Sequence, residues 1–150
     1  QVPVGADRRW AEASMAGYGC GLQVEPFVAI EAEFALHSWL GQDGRCLTGR
    51  PTRLVTDANG AWVGSEVCGG ETAELAASEL RQLEGAHAIA ARALGAAGYF
   101  GPFSTDAFRW RDERGQLHFN PLGELNARYT MGYFAGLGDR QAQWLAMIGG

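Results

Sequence analysis

Between positions 72 and 97 the apolar residues change their spacing, and this change limits the fold more than any other feature of the chain. Leu75, Leu80, Leu83, His87, Ala90, Leu94 and Ala97 recur at intervals of three to five, the stripe of an amphipathic helix. Thr72 is the expected N-cap and Gly98 the expected stop. Gly85, near the middle, weakens the helix by about 1 kcal/mol relative to alanine. On both sides of this segment the residues alternate in the manner of strands. Residues 27–40 read as one strand, and "RPTRLVTDANGAWVGSEV" as a hairpin turning at Asn59-Gly60, a pair suited to positive φ. "FGPFSTDAFRWR", the turn "DERG" and "QLHFNPLGELNAR" form a second hairpin. Pro121 and Gly123 mark its return strand as an edge strand or a bulged one. "DRQAQWLAMIGG" reads as a short amphipathic helix with Asp139 near its start. The first twenty residues are mixed and end in the loop-like "AGYGCG". The order β-β-β-helix-β-β-helix predicts an α+β fold, a largely antiparallel sheet covered by helices.

The 150 residues suffice for one domain with a single core, and a hydrophobic fraction of 47% fits a globular chain. No apolar run approaches the ~18 residues of a membrane span, and no signal peptide is visible. A net charge of −5, without a basic cluster, disfavours a nucleic-acid surface. Cys20, Cys46 and Cys68 are odd in number and contain no C-x-x-C pair. They read as idle thiols of a reducing, cytoplasmic compartment rather than as disulfides or zinc ligands. His37, His87 and His118 are too scattered to suggest chemistry, and His87 falls on the apolar stripe as a core histidine. The chain starts "QVPVGADRRW" and stops at "MIGG", which reads as a piece cut from a longer protein. Self-association stays open at this stage.

The chemistry concentrates in "NPLGELNARYTMG", residues 120–132. Side chains two apart on a strand share a face, so Glu124, Asn126 and Arg128 form a polar row. Asp106 lies on the preceding strand at hairpin separation, close enough to face Glu124 across the ladder. Like charges so placed repel unless a proton, a basic side chain or a cation lies between them. Two carboxylates and an amide oxygen make a hard, oxygen-only set suited to Mg²⁺ or Mn²⁺. A simple ion pair of Arg128 with Glu124 or Asp106 is the alternative.

The combined pattern "GYFGPFSTDAFRW…LHFNPLGELNARYTMG", with "VEPFV" and "AIEAEFAL" upstream, resembles the C-terminal lobe of the ATP-grasp superfamily over roughly residues 24–136. The resemblance implies ATP-dependent activation of a carboxylate and its coupling to an amine or thiol, with an amino acid or peptide as substrate. It implies that Asp106, Glu124 and Asn126 hold Mg²⁺ (or Mn²⁺) on the nucleotide phosphates and that Arg128 contacts the phosphate or acyl phosphate. It also implies a hinge of Glu25, Pro26, Phe27 and Val28 against the adenine, through the Pro26 carbonyl and the Val28 N–H, with Glu31 toward the ribose. Solvated Glu25 and Glu31 and a core Phe27 are the competing readings. Trp39, Trp62, Trp110 and Tyr129 are candidates for a substrate pocket, or for the core.

The chain departs from that pattern in two ways. It has no lysine, all twelve of its basic residues being arginine. The residues before position 24 are also too few for the family's other lobe, which supplies phosphate-binding lysines and a glycine-rich loop. Two functions follow as expectations. One is the Mg–ATP lobe of a ligase whose N-terminal lobe lies elsewhere in the same protein, the piece itself being inactive. The other is a degenerate, non-catalytic lobe kept for binding or assembly.

Overall fold

The computed structural model describes residues 6–19, 21–22, 25–59, 61–69 and 75–149. Helix α1 (Ala6–Tyr18) precedes strands β1 (Ala29–Leu40), β2 (Cys46–Thr48), β3 (Thr52–Thr56) and β4 (Trp62–Val67). Helix α2 (Ala77–Ala96), the hairpin β5 (Gly101–Arg111) and β6 (Leu117–Asn126), and the short helices α3 (Tyr133–Leu137) and α4 (Gln141–Ile148) follow, the last two joined by a 3-10 turn. The sheet runs β4-β3-β1-β5-β6 with β2 also paired to β1, and each of these pairings is antiparallel. The expected α+β architecture is present.

Two details differ from the expectation, several expected positions lie outside the described residues, and the expectation for β6 is met. The helix expected at 72–97 starts at Ala77, with the Glu79 carboxylate accepting the backbone N–H of Ala76 at 3.0 Å. Thr72, Cys20, Gly60 and Val24 lie outside the described residues, as does the side chain of Asp139. The N-terminal stretch read as mixed contains α1, and β2 and α3 were not expected. Finally, β6 is both an edge strand and a bulged one.

Strand β1 lies at the centre of the sheet, paired with β2 and β3 and with β5, and its two faces have different partners. Phe34 and Leu36 point toward α2: Leu36 packs with Leu83 of α2 and Ala107 of β5, Phe34 packs with Cys68, and Phe119 lies against both clusters. His87 of α2 is buried between hydroxyls on the same face, at 2.6 Å from Ser38 Oγ and 2.7 Å from Thr105 Oγ1, and stacks on Phe103. Arg109 and the buried Glu79 form an ion pair at 2.5 Å. On the opposite face, Ala35 and His37 look toward the segment that follows β6. Leu40 ends β1 near Gly95 of α2. Beyond it Gly98 (φ +79°) lets the chain leave the helix in the left-handed region, as the sequence predicts.

Candidate functional site

Asp106 and Glu124 are direct cross-strand partners on the β5–β6 ladder. The bulge at Pro121–Gly123 produces this match. Phe108 pairs with Asn120 and Asp106 with Glu124, so β6 carries two extra residues between those points. Without them Leu122 would stand opposite Asp106. Gly123 is required in the bulge, since a Cβ there would come within 2.9 Å of the Phe108 ring. The Asn126 side chain is buried and donates Nδ2–H to Asp106 Oδ2 at 3.0 Å, leaving its carbonyl oxygen for another partner.

Among the described residues neither Asp106 nor Glu124 belongs to an ion pair. Burial, then the charge of Glu124, pushes the Asp106 carboxyl up to about 6, and Glu33 on β1 adds to the effect. Arg128 is exposed and bonds the Tyr129 carbonyl at 3.3 Å. It forms no ion pair with either carboxylate, so that alternative is not what the structure shows. Two opposed carboxylates and an amide oxygen fit a hard divalent cation. Among the described residues no three His, Cys, Asp or Glu side chains gather as a metal site. Any cation here therefore takes its remaining oxygens from water or phosphate.

These four residues share a cavity of about 210 Å³ with His37, Leu54, Trp62 and Met131. His37 was not singled out in the sequence. It is buried, and burial lowers its pKa to about 4, so it is neutral at pH 7. Its ring lies 3.1 Å from Thr130 Oγ1 and 3.3 Å from Thr52 Oγ1. Gly132 and Gly136 press on it, a Cβ at either reaching its ring within 2.9 and 2.7 Å respectively. The segment carrying Arg128 toward α3 is thus seated on His37. Its sequence signal was the glycine pair spaced by four in "TMGYFAG".

A second cavity of about 350 Å³ holds Glu31 and Glu33 and shares Leu54 with the first. It opens where β1 and β3 part, since their pairing consists of Phe34 with Arg53 and Ala35 with Thr52. Glu31 is exposed and paired to Arg111 at 2.5 Å, whereas Glu33 is half-buried on the Asp106 face. The hinge residues Glu25, Pro26 and Phe27 are exposed and Val28 is half-buried. They precede β1, whose first residue, Ala29, stands about 20 Å along the strand from Ala35, at ~3.3 Å per residue, and Ala35 is the cross-strand partner of Asp106. Of the aromatic candidates, Trp62 lines the first cavity, while Trp39 and Tyr129 join a ring cluster with Tyr133 and Trp144. Trp110 stacks on His118. A larger cavity, about 610 Å³, lies on the α2 face and touches none of these groups. Cys46 and Cys68 are free thiols.

No family model and no curated protein matches the chain. Among solved structures it is similar to N5-carboxyaminoimidazole ribonucleotide synthetase from Thermus thermophilus, with 25% identity and a TM-score of 0.50, over 85% of this chain and 32% of that one. An N5-carboxyaminoimidazole synthetase from Staphylococcus aureus complexed with ADP matches at 15% identity and a TM-score of 0.46, over 71% and 25% of the two chains. The phosphoribosylaminoimidazole carboxylase ATPase subunit from Aquifex aeolicus matches at 18% and 0.46, over 72% and 28%. The chain therefore spans about a third or less of the structures it resembles.

Proposed function

From the ATP-grasp fold that this chain has, we propose that it is the Mg–ATP-binding C-terminal lobe of a ligase. That ligase activates a carboxylate as an acyl phosphate and couples it to an amine or thiol. One observation carries the reading: Asp106 and Glu124 face each other, and among the described residues no basic side chain pairs with either. An arrangement that repels itself in isolation is suited to a site that a divalent cation completes.

In this reading Asp106, Glu124 and Asn126 hold the cation, which when bound offsets charge on the phosphates and on the transferring phosphoryl group. Arg128 supplies a planar, always-charged fork for a phosphate or carboxylate oxygen. The Pro26 carbonyl and the Val28 N–H meet the adenine edge. The Glu31 and Glu33 cavity, between hinge and metal site, receives the ribose. Glu33 is the better placed of the two, because Arg111 already engages Glu31. No protein nucleophile is needed, since positioning and electrostatics carry phosphoryl transfer. A partner lobe in the same protein supplies the lysines this chain lacks.

Calorimetry tests the division of labour. Residues 1–150 alone should bind MgATP weakly, and a longer chain that includes the partner lobe should bind it tightly. Tight binding by residues 1–150 would overturn the two-lobe reading. The absence of lysine also favours a second reading, a non-catalytic lobe kept for assembly. Upstream sequence without a lysine-bearing strand and a glycine-rich loop would select it.

A further inference from the structure

The cavity of about 610 Å³ lies on the α2 face of the sheet, the face opposite to Asp106. Its floor is Leu36 and Leu40 of β1, both almost wholly buried. The helix wall is Ala88, Ala91, Gly95 and Ala96, and short side chains at these positions are what leave the space open. Gly44, Cys46 and Thr48, on β2 and the turn before it, form the other side. The volume falls inside the ~300–1,000 Å³ of ligand sites. Ala88, Gly95, Gly44 and Cys46 are exposed, so the cavity opens along one side and an occupant keeps that flank in water.

Two donors meet across this space. Burial keeps His87 neutral at pH 7, with a single ring proton. Ser38 Oγ donates to Thr48 Oγ1 at 2.9 Å, so it must accept from His87 Nε2–H, 2.6 Å away. His87 Nδ1 then accepts from Thr105 Oγ1 at 2.7 Å. The chain ends at Thr48, whose own O–H has only the Cys46 sulfur, 3.7 Å away, as an acceptor among the described residues. Arg92 is the second donor. Along α2, His87 stands at the level of Ser38 and Gly95 at that of Leu40. Arg92 falls between these levels, and Thr48, the strand partner of Ser38, lies on the other side of the cavity. Glu84 marks the far end, ~12 Å from Arg92 along the helix axis at about 1.5 Å per residue. Among the described residues neither Arg92 nor Glu84 forms an ion pair.

We infer that this cavity binds a linear amphiphilic monocarboxylate. Its carboxylate lies between Arg92 and Thr48, and its hydrocarbon chain runs along Leu36 and the α2 alanines toward Glu84. Removal of the chain from water supplies the attraction. The two charges set its direction, because Glu84 repels a second anionic group at the far end. The site shares no residue with the Asp106 cavity and does not rest on the ligase reading.

Nuclear magnetic resonance on residues 1–150 tests it, with the methyl groups of Leu36, Leu40 and Ala91 as reporters. Octanoate should shift them saturably. Octanamide, the neutral isostere, and suberate, the dianion of equal chain length, should each bind about fivefold more weakly, the measure of one part-exposed charge pair. Arg92→Gln should abolish the preference for octanoate over octanamide, and Glu84→Gln should restore suberate. Ala88→Leu, at an exposed helix position, fills the cavity and should weaken octanoate at least tenfold with circular dichroism unchanged. Equal binding of octanamide would overturn the carboxylate assignment, and equal binding of suberate the direction. Octanoate shifts spread evenly over Met131 and Phe134, or indifferent to Ala88→Leu, would mean adsorption to apolar surface and sink the site. The same methyls shifting with protein concentration alone would give the groove to a second copy of the chain, and would equally overturn the inference.

Discussion

Asp106 and Glu124 face each other across the β5–β6 ladder, brought into register by the two extra residues of the Pro121–Gly123 bulge. Their mutual repulsion holds part of the fold's stability in reserve. Glu124→Gln should therefore stabilise the metal-free protein at pH 7 by roughly 0.2–1 kcal/mol, the range for a cross-strand pair. It should also bring the Asp106 carboxyl down from its raised value, because Glu124 is the second cause of that shift after burial. Urea unfolding and carboxyl ¹³C titration check both, and a destabilised variant would show that something already bridges the pair.

The two buried histidines make acid sensitivity predictable. Burial lowers both His37 and His87 from 6.5 to about 4. The folded protein then binds their protons less readily than the unfolded chain does. Stability is fully present above pH 6.5 and falls as the pH drops toward 4. Below 4 these two groups contribute no further slope. The loss should approach about 3 kcal/mol per histidine. His87→Gln should remove its share of the slope in a plot of urea midpoint against pH, while His37 keeps the rest. An unchanged slope would mean that His87 is already protonated in the fold.

Two glycines should respond in opposite directions to alanine. At Gly136 a Cβ would lie 2.7 Å from the His37 ring and 3.1 Å from the Arg50 carbonyl. Overpacking there should cost about 1–3 kcal/mol and loosen α3 from the sheet. At Gly85, exposed in the middle of α2, a Cβ meets nothing within 4 Å. Gly85→Ala should stabilise by about 0.5–1 kcal/mol. Thermal unfolding reads both signs.

Some of this was visible in the residues and some was not. The long strands and α2 were legible because alternation and the helical period persist over ten residues or more. Three elements were not. Helix α1 leaves Trp10 and Tyr18 in solvent, so no steady apolar stripe marks it. Strand β2 is three residues long, and α3 packs through glycines, which carry no periodicity. Asp106, Glu124 and Asn126 were legible at the site because hairpin separation is local in sequence. His37 and Glu33 were not, because their places depend on long-range pairing, Ala35 with Asp106 and His37 with Ser104. The bulge was foreseen at Pro121 and Gly123 and Glu124 was expected to face Asp106, but that the two extra residues of the bulge set this register was not foreseen.

The central claim is that Asp106, Glu124 and Asn126 form one side of a divalent-cation site. Electron paramagnetic resonance titration of Mn²⁺ tests it most directly, on residues 1–150 and on the Asp106→Asn and Glu124→Gln variants. The account predicts one weak, saturable site in the parent sequence, weakened roughly tenfold or more by either substitution, with circular dichroism unchanged. Mn²⁺ binding of equal strength in all three proteins, or none in the parent sequence even with ATP present, would contradict it.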